Sequence, residues 1–102
     1  MKVIICEPNV PPYVELINGN YKNLKEILGN DIKAIPTSEP NIIIICNLER
    51  YENKKSCMEN RMNIPGKFLF VGRRNNRLRS LTDDEINQVI DAIRKDDLTV
   101  IH

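Results

Sequence analysis

The chain has 102 residues, a formal net charge of +1 and a composition that is 41% hydrophobic and 28% charged. Such a composition is ordinary for a soluble globular protein, and the size predicts one domain over 1–102 that needs no disulfide or metal to hold its core. The near-zero net charge excludes a polycation, so any electrostatic function has to come from local clusters of charge.

No segment has the pattern of a membrane span or a secretion signal. The N-terminal apolar run Val3–Cys6 is far shorter than a signal hydrophobic region, and nothing approaches the roughly 20 apolar residues of a spanning helix. The cysteines Cys6, Cys46 and Cys57 are an odd set without CxxC spacing, which argues against a disulfide framework or a zinc site. We therefore expect a cytoplasmic protein with no membrane partner, no metal and no cofactor.

The beginning of the chain predicts two strands and a helix. The apolar run in Lys2–Cys6 predicts the first strand. Glu7–Pro12 predicts a turn or an extended loop, because its prolines cannot donate hydrogen bonds to a sheet. Tyr13–Ile17 alternates as a second strand, and the spacing of apolar residues over Tyr21–Leu28 predicts a short helix with a left-handed cap at Gly29.

An unbroken apolar run, Ile42–Cys46, stands near the middle of the chain. Its four consecutive isoleucines are β-branched and stiff at χ1, which favours a pleated strand over a helix. Because every position is apolar, the run predicts a central strand covered on both faces, with Asn47 where the strand emerges from the core. Asp31–Ile35 is a candidate strand, and the polar turn Thr37–Pro40 places it to pair with the isoleucine run as a hairpin.

The second half of the chain begins with a polar segment, Leu48–Asn63, that predicts a long loop with one helical turn. Lys67–Val71 predicts a further strand, and Gly72 is expected to end it. Leu98–Ile101 predicts either a short edge strand or a packed tail.

A capping box at Thr82 and Glu85 begins the last predicted helix, with Leu81 and Ile86 as its hydrophobic staple. The whole pattern contains five strand-like runs and two amphipathic helices joined mostly by short connections. It predicts the α+β class: a mostly antiparallel sheet of about five strands with two helices packed on it, in two layers.

Short segments along nearly the whole chain resemble domain-of-unknown-function family 3846. They are Met1–Pro8, Pro12–Val14, Leu28–Gly29, Cys46–Asn47, Asn60–Arg61, Pro65–Gly72 and Ser80–Asp83. The resemblance implies a small protein encoded on a bacterial mobile element or phage, and the family label implies no activity. The family pattern has an Asn-Glu pair and a glycine turn after the central strand, but here Leu48 stands at the acidic position, Glu49 follows it, and the glycine is missing.

The family's Asn-Arg pair matches a candidate ligand site that combines Asn47 with Asn60 and Arg61. Asparagine supplies donors and an acceptor, and the guanidinium fork of arginine suits phosphate or carboxylate. If the three side chains meet, they form a pocket for an anion or for the edge of a nucleotide. The alternative is structural, because asparagine also stabilises turns through nearby backbone groups and Arg61 can pair with Glu49 or Glu59.

A second candidate is a basic segment of thirteen residues without an acid. Its basic residues are Lys67, Arg73, Arg74, Arg77 and Arg79. Such a segment suits nucleic-acid phosphate or an acidic partner. The alternative is a solvated hairpin or a strand-to-helix connection, partly neutralised by Asp83, Asp84 and Glu85.

Catalytic groups are scarce. The only histidine is His102, the sequence has no nucleophile elbow or P-loop, and Cys57 beside Lys54 and Lys55 lacks a histidine partner. We therefore expect a non-catalytic binding protein that sequesters a nucleotide-like ligand or blocks a host protein. The alternative is a nucleic-acid-binding accessory factor that uses the Lys67–Arg79 segment, and candidate edge strands leave homo-oligomerisation open.

Overall fold

The computed structural model describes residues 1–53 and 64–95. Several predictions fall on the remaining residues and lie outside the described part of the chain. They concern the distal part of the predicted loop Leu48–Asn63, the predicted strand or tail Leu98–Ile101, and the side chains of Asn60, Arg61, Cys57 and His102.

The described residues form one six-stranded sheet and three helices. The elements are β1 Lys2–Glu7, β2 Val10–Leu16, α1 Tyr21–Leu28, β3 Ile32–Pro36, β4 Ile42–Asn47, α2 Leu48–Glu52, β5 Phe68–Arg74, β6 Arg77–Arg79 and α3 Asp83–Lys95. The strand order is β2-β1-β5-β4-β3, with β6 paired to β5, and every pair is antiparallel. The α+β class and the mostly antiparallel sheet are confirmed, and α2 is the single helical turn expected after Asn47.

Helices cover both faces of the sheet, so the predicted two-layer arrangement is wrong. The strands β1, β4 and β5 are buried at successive positions, and β4 is buried at every position. Each face therefore needs its own cover. One face packs against α3 and buries Ile4, Ile44, Phe70, Ile86 and Val89. The other face packs against α1 and buries Val3, Ile5, Ile45, Leu24 and Leu28.

The first hairpin is tighter than predicted, because β2 begins at Val10 and contains both Pro11 and Pro12. The prediction of a loop through Pro12 is wrong for a physical reason: β2 is an edge strand, where a missing N–H on the outer side breaks no ladder. Between the pairs formed by Ile5 with Tyr13 and by Glu7 with Val10 the register shifts. One extra residue in β2 thus forms a bulge at the two prolines.

The predicted end of β5 at Gly72 is also wrong, because the strand continues to Arg74 and returns as β6. Asn75 and Asn76 make the two-residue turn with φ angles of 51° and 64°, the left-handed region that asparagine tolerates. A Cβ atom at Gly72 would lie 2.5 Å from Nη1 of Arg79. Gly72 therefore does not end the strand. Its missing side chain leaves room for the side chain of Arg79, which crosses β5 at this position.

The helix ends follow the sequence closely. The backbone N–H of Thr82 donates to Oε1 of Glu85 at 3.0 Å, and the N–H of Glu85 donates to Oγ1 of Thr82 at 3.1 Å. The predicted capping box of α3 is confirmed. At the end of α1, Gly29 adopts φ 85° and its N–H bonds the carbonyl of Lys25, which confirms the left-handed cap.

Candidate functional site

The strand β5 divides the predicted basic segment into two places. Lys67 precedes β5, whereas Arg73 and Arg74 close it, and a seven-residue strand spans roughly 20 Å. Lys67 Nζ lies 3.6 Å from Oε1 of Glu7, at the β1–β2 turn. The structure therefore gathers the four arginines on the β5–β6 hairpin and leaves the lysine at the far end of the sheet.

Arg79 is held by the protein itself. Its Nη1 and Nη2 donate to the two carboxylate oxygens of Glu85 at 2.7 and 2.8 Å, in the bidentate geometry that makes such pairs strong. Their side chains are 29% and 14% exposed. The guanidinium lowers the pKa of Glu85 to about 2, against the opposing effect of burial, and the carboxylate raises the pKa of Arg79. Arg79 thus ties β6 to the start of α3.

Arg73 is partly engaged. It is half-buried, its Nη2 donates to the carbonyl of Pro40 at 3.1 Å, and its backbone N–H donates to the carbonyl of Asn41 at 2.8 Å. These bonds join the β5–β6 hairpin to the β3–β4 turn. Because the side chain meets a neutral carbonyl, its positive charge is not neutralised there.

Arg74 and Arg77 differ from the other two arginines. They lie directly opposite each other, on either side of Asn75 and Asn76, and both are exposed. Within residues 1–53 and 64–95 neither side chain has an ion pair or hydrogen bond. Like charges directly opposite each other in a sheet are destabilising. We call Arg74–Arg77 the hairpin tip: it holds two exposed guanidinium groups that have no charge partner among the described residues, and two exposed amides between them.

Asn47 lies at the opposite end of the sheet, where β4 ends. It is 8% exposed, its Nδ2 donates to the carbonyl of Leu28 at 2.9 Å, and its Oδ1 accepts from the N–H of Arg50 at 2.9 Å. It therefore caps α2 and bonds the last turn of α1. Asn60 and Arg61 lie outside the described residues, so the proposed grouping of the three stays a prediction. Glu49, which stands one position after the acidic position of the family pattern, accepts a hydrogen bond from Nδ2 of Asn30 at 2.5 Å.

A cleft of about 430 Å³ was missed by the sequence prediction, because Glu7–Pro12 was expected to be a loop. It is lined by the β1–β2 turn together with Cys6, Phe68 and Ile93. Its carboxylate, Glu7, accepts from the hydroxyl of Tyr13 at 3.0 Å and faces Lys67. Burial raises the pKa of the Cys6 thiol to about 12, so the thiol stays protonated and is no nucleophile. The pair Glu7-Pro8 was the available sequence signal for the cleft, because it lies in one of the segments that resemble the family.

A family model described as a domain of unknown function, DUF3846, matches residues 1–94. The chain belongs to this family. The match includes both the hairpin tip and the Asn47 end of this DUF3846 protein, and it confirms the resemblance found in the sequence. No curated protein and no solved structure matches the chain. Among the described residues no helix has the length and apolar character needed to cross a membrane.

Proposed function

We propose that this DUF3846 protein is a non-catalytic nucleic-acid-binding protein that contacts the phosphate backbone through the hairpin tip. The observation that carries the proposal is the cross-strand pair of exposed arginines, Arg74 and Arg77. Folding alone does not favour two like charges placed opposite each other when none of the described carboxylates pairs with them. Phosphate supplies the missing counter-charge, and the planar guanidinium fork matches its oxygens.

The shape of the tip favours a groove. A two-stranded ribbon fits the major groove of duplex DNA, which is about 12 Å wide. Asn75 and Asn76 stand at the furthest point of the ribbon, and their amides both donate and accept hydrogen bonds. The two arginines flank them and meet phosphates on the groove walls.

Duplex is favoured over single-stranded nucleic acid because the tip carries no aromatic side chain. Proteins that bind single strands stack bases on exposed aromatic residues. The aromatics nearest in sequence, Phe68 and Phe70, are buried in the core and pack on each other edge to face. The expected mode is therefore binding to duplex in which the arginines contact the phosphate backbone and any base preference comes from Asn75 and Asn76.

The nucleotide-like ligand predicted from the sequence has less support. Both polar atoms of Asn47 already bond the backbone. In the 430 Å³ cleft the carboxylate of Glu7 already engages Lys67 and Tyr13, and a carboxylate has no donor to offer a phosphate. We place the protein in the cytoplasm, where a buried thiol such as Cys6 stays reduced.

Fluorescence anisotropy with a short labelled duplex DNA tests the proposal across a range of salt concentrations. The logarithm of the binding constant should fall linearly with the logarithm of salt, by about 0.9 for each phosphate contacted. Arg74→Ala and Arg77→Ala should each weaken binding and reduce that slope by about 0.9. Lys22→Ala is the matched control, because it removes an exposed charge from α1 and should change neither quantity. No binding at low salt, or equal effects of all three variants, removes the proposal.

A further inference from the structure

The sequence contains a single Asn-Gly pair, Asn18-Gly19, which lies between β2 and α1. In an open chain such a pair is chemically unstable. Glycine has no side chain to hinder its backbone nitrogen from attacking the carboxamide of the preceding asparagine. Asn18 is exposed and Gly19 is half-buried. Water therefore reaches the asparagine, and the reactivity of the pair depends on how the glycine nitrogen is held.

The start of α1 holds both reacting groups. The N–H of Gly19 donates to Oδ1 of Asn23 at 3.0 Å. The Oδ1 of Asn18 accepts from the N–H of Asn20 at 3.1 Å. Asn20 in turn caps α1, because its Oδ1 accepts from the N–H of Asn23 at 2.8 Å. The nitrogen that would attack and the carboxamide that would be attacked are thus each fixed by a separate hydrogen bond.

The bond made by the Asn23 side chain differs from an ordinary helix cap. Asn23 is the third residue of α1. In a capping box the side chain at this position accepts from the N–H of the cap residue, which here is Asn20. Instead it reaches one residue further back and accepts from Gly19. The shift places the acceptor on the one backbone nitrogen whose freedom would be chemically harmful.

The fold itself explains why a glycine follows Asn18. The φ angle of Gly19 is 84°, in the left-handed region that other side chains disfavour, and an added Cβ would lie 2.6 Å from Cε of Met1. A bulkier residue would hinder the attack on Asn18, but the backbone conformation does not favour one here. Protection of the pair therefore has to come from hydrogen bonding.

We propose that Asn18 is a site of spontaneous deamidation and that Asn23 sets its rate by holding the N–H of Gly19. In the reaction a base removes the Gly19 N–H proton, the nitrogen bonds Cγ of Asn18, and the carboxamide C–N bond breaks with release of ammonia. Water then opens the resulting succinimide to aspartate or isoaspartate. Because attack requires the Asn23 bond to open, the rate follows the fraction of molecules in which the start of α1 is open.

Either product alters the connection between β2 and α1. Both add a negative charge at position 18, and isoaspartate also lengthens the backbone by a methylene group. The longer backbone is expected to displace Gly19 from the Met1 side chain and Asn20 from its capping position. The isoaspartyl protein should therefore unfold at a lower urea concentration than the unmodified protein.

Incubation at mildly alkaline pH followed by peptide mass spectrometry tests the proposal, because replacement of NH₂ by OH at Asn18 changes the peptide mass. In the folded protein, Asn23→Ala should deamidate at Asn18 about fivefold faster than the parent, the factor expected for the loss of one typical hydrogen bond. Asn23→Asp keeps an oxygen acceptor at the same place and should react at the parent's rate. In urea that unfolds the chain, all three proteins should react equally fast.

Thr82→Ala is the matched control for a general loss of stability. It removes a comparable side-chain bond at the start of α3 and leaves Asn23 in place, so Asn18 should react at the parent's rate. Equal acceleration by Thr82→Ala and Asn23→Ala would show that global unfolding governs the reaction, and it overturns the proposal. A folded parent that reacts as fast as the unfolded chain, or a folded Asn23→Ala protein that reacts at the parent's rate, also overturns it.

Discussion

Arg79 and Arg77 lie two residues apart on β6, and the fold gives them opposite surroundings. Arg79 crosses Gly72 and is held by both oxygens of Glu85. Arg77 opposes Arg74 beside an exposed turn, without a carboxylate among the described residues. The comparison shows that a count of basic residues does not locate a binding surface. The helix packed beside the strand decides which charges are neutralised within the protein and which remain for a partner.

Removing the partner of Arg79 is expected to have the largest effect on stability. Glu85→Ala should lower the free energy of unfolding by about 3 kcal/mol, because it leaves a partly buried guanidinium unpaired and removes the capping box of α3. Urea unfolding measures the loss. Asp84→Ala, an exposed acid in the same helical turn, should cost about 0.5 kcal/mol. Equal losses in the two variants would show that the ion pair contributes nothing beyond the helix dipole.

The same ion pair predicts a pH dependence. The folded-state pKa of Glu85, about 2, lies below its ordinary value of 4.5. Its stabilisation is therefore complete above about pH 4.5 and is lost as pH falls toward 2. The parent chain should lose about 2 kcal/mol more than Glu85→Gln across that interval, after allowance for solvent screening of a pair that keeps some exposure. Parallel curves for the two proteins, from urea unfolding at each pH, would contradict the assignment.

Substitution of Gly72 tests whether the stability of the protein depends on the space that this glycine leaves for the side chain of Arg79 across β5. Gly72→Ala should destabilise the protein by about 1 kcal/mol, because the new methyl group meets the arginine side chain. In an Arg79→Ala background the same change should be neutral or stabilising, since glycine within a strand is unfavourable relative to alanine. A double-mutant cycle from urea unfolding measures the coupling. Additive effects would mean that the glycine serves another purpose.

The sequence predicts the elements better than their connections. The four isoleucines of β4, the capping box of α3 and the left-handed cap at Gly29 are local signals, and the structure confirms each. The second helical layer was missed because the amphipathic patterns of α1 and α3 show that each helix has a buried side, but not which face of the sheet that side packs against. The continuation of β5 was missed because the sequence does not show whether a glycine ends a strand or, as at Gly72, leaves space for the side chain of Arg79.

The sites were harder to predict for the same reason. Asn47 was correctly placed at the end of β4, but its hydrogen bonds to Leu28 and Arg50 depend on where α1 and α2 pack. In the basic segment, Lys67 was grouped with arginines that β5 carries roughly 20 Å away. The sequence places three acids just after the basic segment, but it does not show which arginine they engage. The packing of α3 beside β6 pairs Glu85 with Arg79 and not with Arg77.

The substitution with the smallest expected change in stability, Arg77→Glu, separates an effect on folding from an effect on binding most clearly. Arg77→Glu replaces the cross-strand repulsion with an attraction to Arg74 and should stabilise the protein by about 0.5 kcal/mol. The same variant should lose binding to duplex DNA, because the tip then carries no net charge. Arg77→Gln is the control and should be intermediate in both urea unfolding and anisotropy. A more stable Arg77→Glu protein that still bound duplex DNA like the parent would show that the two arginines are solvated surface residues and that phosphate contacts lie elsewhere.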